Sequence, residues 1–318
     1  MQIVSSREEF QWLLLVLMGV LLSLLPESQL WLGCLGAVLL VGIPHGSLDI
    51  YLLWFKSKKN PLHFITSICK YILIVILGLL FWKKFPEIFW AFFFFAAIYH
   101  FGGSDEHPEI LASITHKSVF KTLWVLSRGT LLVFAPFTFH PQKITTYLSY
   151  AVPTSFAAKL TTIAPFLFGY ASIGFLFSTI ICWKKSPLYS YRWILIKHLL
   201  SLFVIIALFV VADPLLSFSL YFCCHHSLSH SFRVLNRFQT RFRTMGTFLT
   251  VLGTTLCSIP LLLWVERQFA QRTTPDGMVT ASFVAIAALT FPHLIVVNDL
   301  HKNLSRRVHL WKSNLPPI

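Results

Sequence analysis

Residues 214–232 read PLLSFSLYFCCHHSLSHSF. The stretch is apolar enough to lie in lipid, and a helix needs roughly 20 mostly apolar residues to cross a bilayer. Yet it carries His225, His226 and His230. Four residues apart, His226 and His230 share one face of a helix, one turn from each other. That spacing lets two imidazoles grip one metal ion. Two leave an ion under-coordinated, so further ligands have to come from elsewhere in the chain. Three other places set histidine inside apolar sequence: Gly42-Ile43-Pro44-His45-Gly46, Tyr99-His100-Phe101-Gly102-Gly103 and Pro292-His293.

Composition makes the setting a membrane. The 318 residues are 56% hydrophobic and only 12% charged, with a mean hydropathy of +0.70. A soluble domain carries about 25% charged residues. The 31 phenylalanines most simply face lipid and fill a bundle; the functional alternative is a slot for a long, flat, apolar substrate. The net charge of +14 does not call for nucleic acid, because membrane proteins concentrate Lys and Arg in cytoplasmic loops. Six cysteines, all in apolar stretches, give no sign of an extracellular disulfide framework. Cys223 and Cys224 adjoin the histidines, where buried thiols usually serve as packing.

Apolar segments near 10–25, 29–54, 62–82, 86–103, 119–139, 160–183, 193–212, 214–232, 245–265 and 279–298 predict an all-α, polytopic bundle of eight to ten spans. With no repeat and no long linker, residues 1–318 read as a single integral-membrane helical domain. No cleavage signal follows Leu25, so the first segment reads as a retained span. Ten spans with a cytoplasmic N-terminus put eighteen of the 26 Lys and Arg on the inner side and six on the outer, with Lys70 and Arg128 inside spans. That bias predicts an inner-membrane protein with both termini cytoplasmic. Under this topology every even-numbered span runs inward. His45, His100, His226, His230 and His293 then fall at one depth, toward the cytoplasmic side, an agreement the charge count did not build in.

Ionisable groups inside a membrane helix cost several kcal/mol and are functional candidates. A lone one is more often a hydrogen-bonded packing residue; five at one depth point to a metal site between helices. Imidazole suits zinc, copper, iron and nickel, and spacing alone does not choose among them. Ligand histidines usually donate their second ring N–H to a carboxylate or carbonyl. Asp49, four residues after His45, can share its face; Asp105 and Glu106 follow His100, and Asp299 follows His293. Gly42, Gly46, Gly102 and Gly103 permit close backbone approach. His225 projects about 100° from His226 on a regular helix. Several chemistries are missing: HExxH, a Walker loop, GxGxxG and GxSxG do not occur, and Ser227 and Ser229 have no visible oxyanion device.

Pro44-His45-Gly46-Ser47-Leu48-Asp49, Tyr99-His100-Phe101-Gly102-Gly103-Ser104-Asp105, His226-Ser227-Leu228-Ser229-His230 and Pro292-His293 together resemble the bacterial and archaeal β-carotene 15,15'-dioxygenases, the Brp/Blh family. Members carry PHG-x-x-D, [WY]HFG-x-x-D, HS-x-x-H and PH motifs in this order. The resemblance implies a non-haem Fe(II), O2 as co-substrate, and cleavage of the central double bond of β-carotene or a related carotenoid to retinal. Carried over residue by residue, it implies His45, His100, His226 and His230 as ligands, with His293 a further ligand or a group behind them. Ile50 stands where members often have histidine after the motif Asp, and His225 is an addition. Tyr99, Phe101 and Phe222 are candidates to line the substrate slot, as against simply packing helices.

Two other classes compete. A membrane di-iron desaturase or hydroxylase also clusters histidines at the cytosolic face, but uses about eight in HxxxH and HxxHH boxes, and only His226–His230 has box spacing here. A metal or proton transporter would spread histidines along the membrane normal rather than gather them at one depth. A retinal-protein accessory factor without activity is a third possibility, opposed by the intact ligand motifs.

Overall fold

The computed structural model describes residues 14–42, 46–57, 60–104, 118–185, 189–231 and 275–313, with isolated positions between 252 and 267. Helices and turns account for the described residues, with no strand among them. In chain order the helices are α1 (Leu14–Ser23), α2 (Glu27–Ala37), α3 (Asp49–Lys56), α4 (Pro61–Lys84), α5 (Pro86–Ser104), α6 (Ser118–Phe139), α7 (Pro141–Ser149), α8 (Thr154–Lys185), α9 (Tyr189–Val211), α10 (Pro214–Leu220) and α11 (Pro275–Ser313).

Among the described residues, four helices are long and apolar enough to cross a membrane: Pro61–Lys84, Val119–Phe139, Thr154–Lys184 and Gly277–Asn298. Leu14–Ser23 and Leu195–Val211 are shorter apolar helices. The expected 29–54 segment is not one regular helix. It runs as α2, turns π-helical over Val38–Gly42, and resumes as α3 at Asp49. The 214–232 segment is likewise interrupted: α10 gives way to a π-helix over Tyr221–Ser227 before residues 228–231 return to α geometry. The expected 245–265 segment lies outside the described residues apart from isolated positions.

Helix starts follow local chemistry. Asn60 caps α4, its Oδ1 accepting from Leu62 N at 3.0 Å and His63 N at 3.3 Å, with Pro61 in the first turn where its missing N–H costs nothing. Asp213 caps α10 in the same manner, accepting from Leu215 N at 2.8 Å ahead of Pro214. Asp213 also takes an ion pair from Lys143 of α7 at 2.6 Å, which ties α7 to the start of α10.

Packing centres on α6, which contacts α5, α7, α8 and α9, while α11 packs on α2, α3, α4, α5 and α7. The α5–α6 crossing is made by glycine. A Cβ on Gly102 would lie 1.9 Å from Val125 O, and one on Gly129 would lie 1.8 Å from Ile98 O. Small residues let membrane helices approach this closely. The two π segments also pack on each other, with Gly42 against the ring of Phe222, where a Cβ would fall 2.6 Å from the ring edge. Cys34, Cys223 and Cys224 are fully buried and free, in the core that joins α2 to α10. By contrast, α4 leaves Leu62, Ile65, Leu73, Leu77 and Leu80 exposed, as a lipid-facing helix does.

Candidate functional site

His100 comes from α5, two residues from the glycine crossing that fixes that helix against α6. Arg128 of α6, fully buried, donates from Nη1 to Phe101 O at 2.8 Å and so holds the backbone beside His100. His226 is the last but one residue of the π segment of the broken helix, and His230 follows in the α turn after it. His293 sits next to Pro292 inside α11.

These four imidazoles meet. The ring of His100 lies 4.9 Å from His226 and 5.1 Å from His293, and His293 lies 5.3 Å from His230. All four residues are buried, and Nε2 of His226, His230 and His293 is sealed from solvent. The rings meet edge to face; among the described residues no three His, Cys, Asp or Glu side chains stand in ready metal-binding geometry. The donor chemistry nonetheless fits an imidazole-preferring transition metal. Four buried imidazoles from three helical segments adjoin, and one of them has a carboxylate behind it.

That carboxylate is Asp49. Its Oδ2 accepts from His293 Nδ1 at 2.8 Å and from the Tyr71 hydroxyl at 3.2 Å. From sequence, Asp49 is a candidate partner for His45, four residues before it, and Asp299, six residues on, for His293. Asp49, supplied by α3 across the bundle, is a partner of His293. His45 and Asp105 lie outside the described residues, as does the side chain of Asp299. His225 turns toward Tyr221, with the rings 6.1 Å apart.

An apolar cavity of about 650 Å³ reaches this cluster, lined at the histidine end by Asp49, His100, Phe101, Phe222, His226 and His293. Phe222 stacks on His226 at 5.7 Å with the planes 14° apart, and the Phe101 ring lies 4.8 Å from His226. Both were expected in the slot. Tyr99 was expected there too, but it is 48% exposed and does not line the cavity. On α5 it is one residue from His100, and successive helical residues project about 100° apart. Tyr221, Tyr71 and Trp90 line the cavity without having been singled out from sequence. Nothing in their spacing marks them off from the many aromatics that face lipid.

A family model described as beta-carotene 15,15'-dioxygenase matches residues 36–301. The chain is 25% identical over 289 residues to a beta-carotene 15,15'-dioxygenase from uncultured marine bacterium 66A03, covering 87% of this chain and 96% of the relative. No solved structure matches.

Proposed function

Because the chain belongs to the beta-carotene 15,15'-dioxygenase family, we propose that it cleaves β-carotene or a related carotenoid at the central double bond, using O2, to give retinal. The observation that carries this reading is the cavity of about 650 Å³ whose apolar walls end at His100, His226 and His293. Pockets for apolar ligands combine such walls with a few placed polar groups. The family match also supports this reading over the desaturase and transporter alternatives.

In this reading His100, His226, His230 and His293 hold a non-haem Fe(II), with His45 contributing as the family motif implies. When bound, the iron supplies the redox chemistry by which O2 reacts with a carbon–carbon double bond. Asp49 fixes the proton of His293 on Nδ1, so that Nε2 presents its lone pair inward. Arg128 and the Gly102–Gly129 contact hold the backbone that carries His100. The stacked ring of Phe222 restrains His226. The apolar walls orient the polyene and keep water from the reacting bond.

The route for substrate is lateral. Ile72 and Ile76 of α4 line the cavity, while Leu73 and Leu77 of the same helix, outside its lining, are 53% and 54% exposed. A single layer of α4 side chains therefore separates the cavity from the bilayer in which a carotenoid dissolves. The same reading keeps the whole chain as one inner-membrane domain with both termini in the cytoplasm.

Expression in a carotenoid-producing cell tests the proposal. Loss of yellow colour with retinal as the chromatographed product is expected. Unchanged β-carotene, or two metal ions per chain with a desaturated product, would overturn it.

A further inference from the structure

The histidines sit at one end of the cavity. On α11 the lining runs from Thr280 to His293, on α10 and its π continuation from Pro214 to His226, and on α5 from Trp90 to His100 and Phe101. In the first two the histidine is the last lining residue, and in the third it is the last but one. At the helical rise the α11 stretch spans about 20 Å and the α5 stretch about 15 Å. On α4 the lining runs from Ile68 to Leu79, and Tyr71 near its start reaches Asp49. The direction therefore agrees on every helix. Gly46, Ser47, Ile50 and Ile68 line the cavity around the cluster, with Phe101 and Phe222 beside the rings.

At the far end lies α7. Ile144, Tyr147 and Leu148 line the cavity there, and α7 is held in place from two sides. Thr280 Oγ1 donates to Tyr147 O at 2.7 Å, and Lys143 pairs with Asp213 at 2.6 Å. A floor anchored to both α11 and α10 lies at a defined distance from the histidines that those same helices carry.

Resting on the proposed carotenoid cleavage, we infer that this arm is a ruler. One end of a linear polyene enters it first and stops against α7, and the bond that is cut is the one the arm's depth leaves beside the histidines. The chemistry balances for any bond so placed: one C=C and one O2 become two aldehydes, with no further reductant. A depth near 20 Å is comparable to a terminal ring with the conjugated chain out to the middle of the molecule. The symmetric product then follows from measurement at one end alone.

The test uses the full chain in lipid nanodiscs. A series of apocarotenals, each with one ring and a polyene longer by one double bond, is titrated into metal-stripped protein. Binding is read by quenching of tryptophan fluorescence, Trp90 being in the cavity wall. Affinity is expected to rise with length and then level off once the arm is full. Ile144→Trp raises the floor, so its plateau should come at least one double bond earlier, and with iron and β-carotene it should give two unequal aldehydes. Leu148→Ala lowers the floor, should move the plateau to longer chains, and stands alone if Ile144→Trp fails to fold. Tyr170→Ala, on the outer face of α8, should match wild type. A plateau at one length in every chain, no length dependence, or a single symmetric product from Ile144→Trp overturns the ruler. A length plateau without any cleavage would leave the ruler standing and remove the proposed reaction instead.

Discussion

Asp49 and His293, 244 residues apart in sequence, are joined by a hydrogen bond of 2.8 Å in a fully buried setting. A carboxylate behind an imidazole sets its tautomer and direction, and losing such a partner typically weakens metal binding 10- to 100-fold. Asp49→Ala should lower iron affinity by about that factor, as read by metal titration. Asp49→Asn, whose amide oxygen still accepts from Nδ1, should lose less. Equal affinity in wild type and Asp49→Ala would show that the pair does not position a ligand.

The α5–α6 crossing makes a second prediction. Gly102→Ala or Gly129→Ala places a methyl group inside a backbone carbonyl of the facing helix, which forces apart the helices that set His100. Overpacking of this kind costs about 1–3 kcal/mol, to be seen as an earlier unfolding midpoint. Gly169 has nothing within 4 Å of its Cβ position, and Gly169→Ala should be neutral or slightly stabilising.

Gly42→Ala acts one contact further from the chemistry. The added methyl would press on the ring of Phe222, which stacks on His226. Turnover is expected to fall by about ten- to a hundred-fold through misplacement, with helix content unchanged in circular dichroism. Combining it with Phe222→Leu should recover part of the loss. The double-mutant cycle measures that coupling, and strict additivity would break the proposed link.

His226→Ala is expected to abolish both bound iron and retinal, measured by elemental analysis and chromatography. His140→Ala provides the contrast. Its ring bonds to Phe209 O at 2.8 Å and lies outside the cluster, so the variant should keep its metal and lose about 1 kcal/mol of stability. Retinal formation by His226→Ala would remove that residue from the site.

Much of this site could be read from the chain. The helical class follows from composition, and the rings of His100, His226, His230 and His293, which the sequence expectation set at one depth in spans running the same way, adjoin in the structure. What stayed hidden depends on contacts between distant residues. Asp49 reaches His293 because α3 packs on α11, and no spacing rule relates positions 49 and 293. Tyr71 joins them from a helix that otherwise faces outward. Tyr99 misled because adjacency to a key histidine says nothing about which side of a helix a residue takes. The π turns at Val38–Gly42 and Tyr221–Ser227 lie beneath any pattern that assumes 3.6 residues per turn.

Those π turns bear on how the chain tolerates insertion and deletion. A π turn closes its hydrogen bonds one residue later than an α turn, so it absorbs an extra residue without lengthening the helix much. Deleting one residue from Tyr221–Ser227 would let the segment relax to ordinary α geometry, as greasy and as well accommodated in lipid as before. Because each remaining residue then turns further about the axis, the stretches on either side would keep nearly the same facing, whereas the same deletion in a regular helix such as α8 would swing one side by about 100° relative to the other. The broken helix is thus the place where the chain can lose a residue ahead of the histidines and still turn them toward one another.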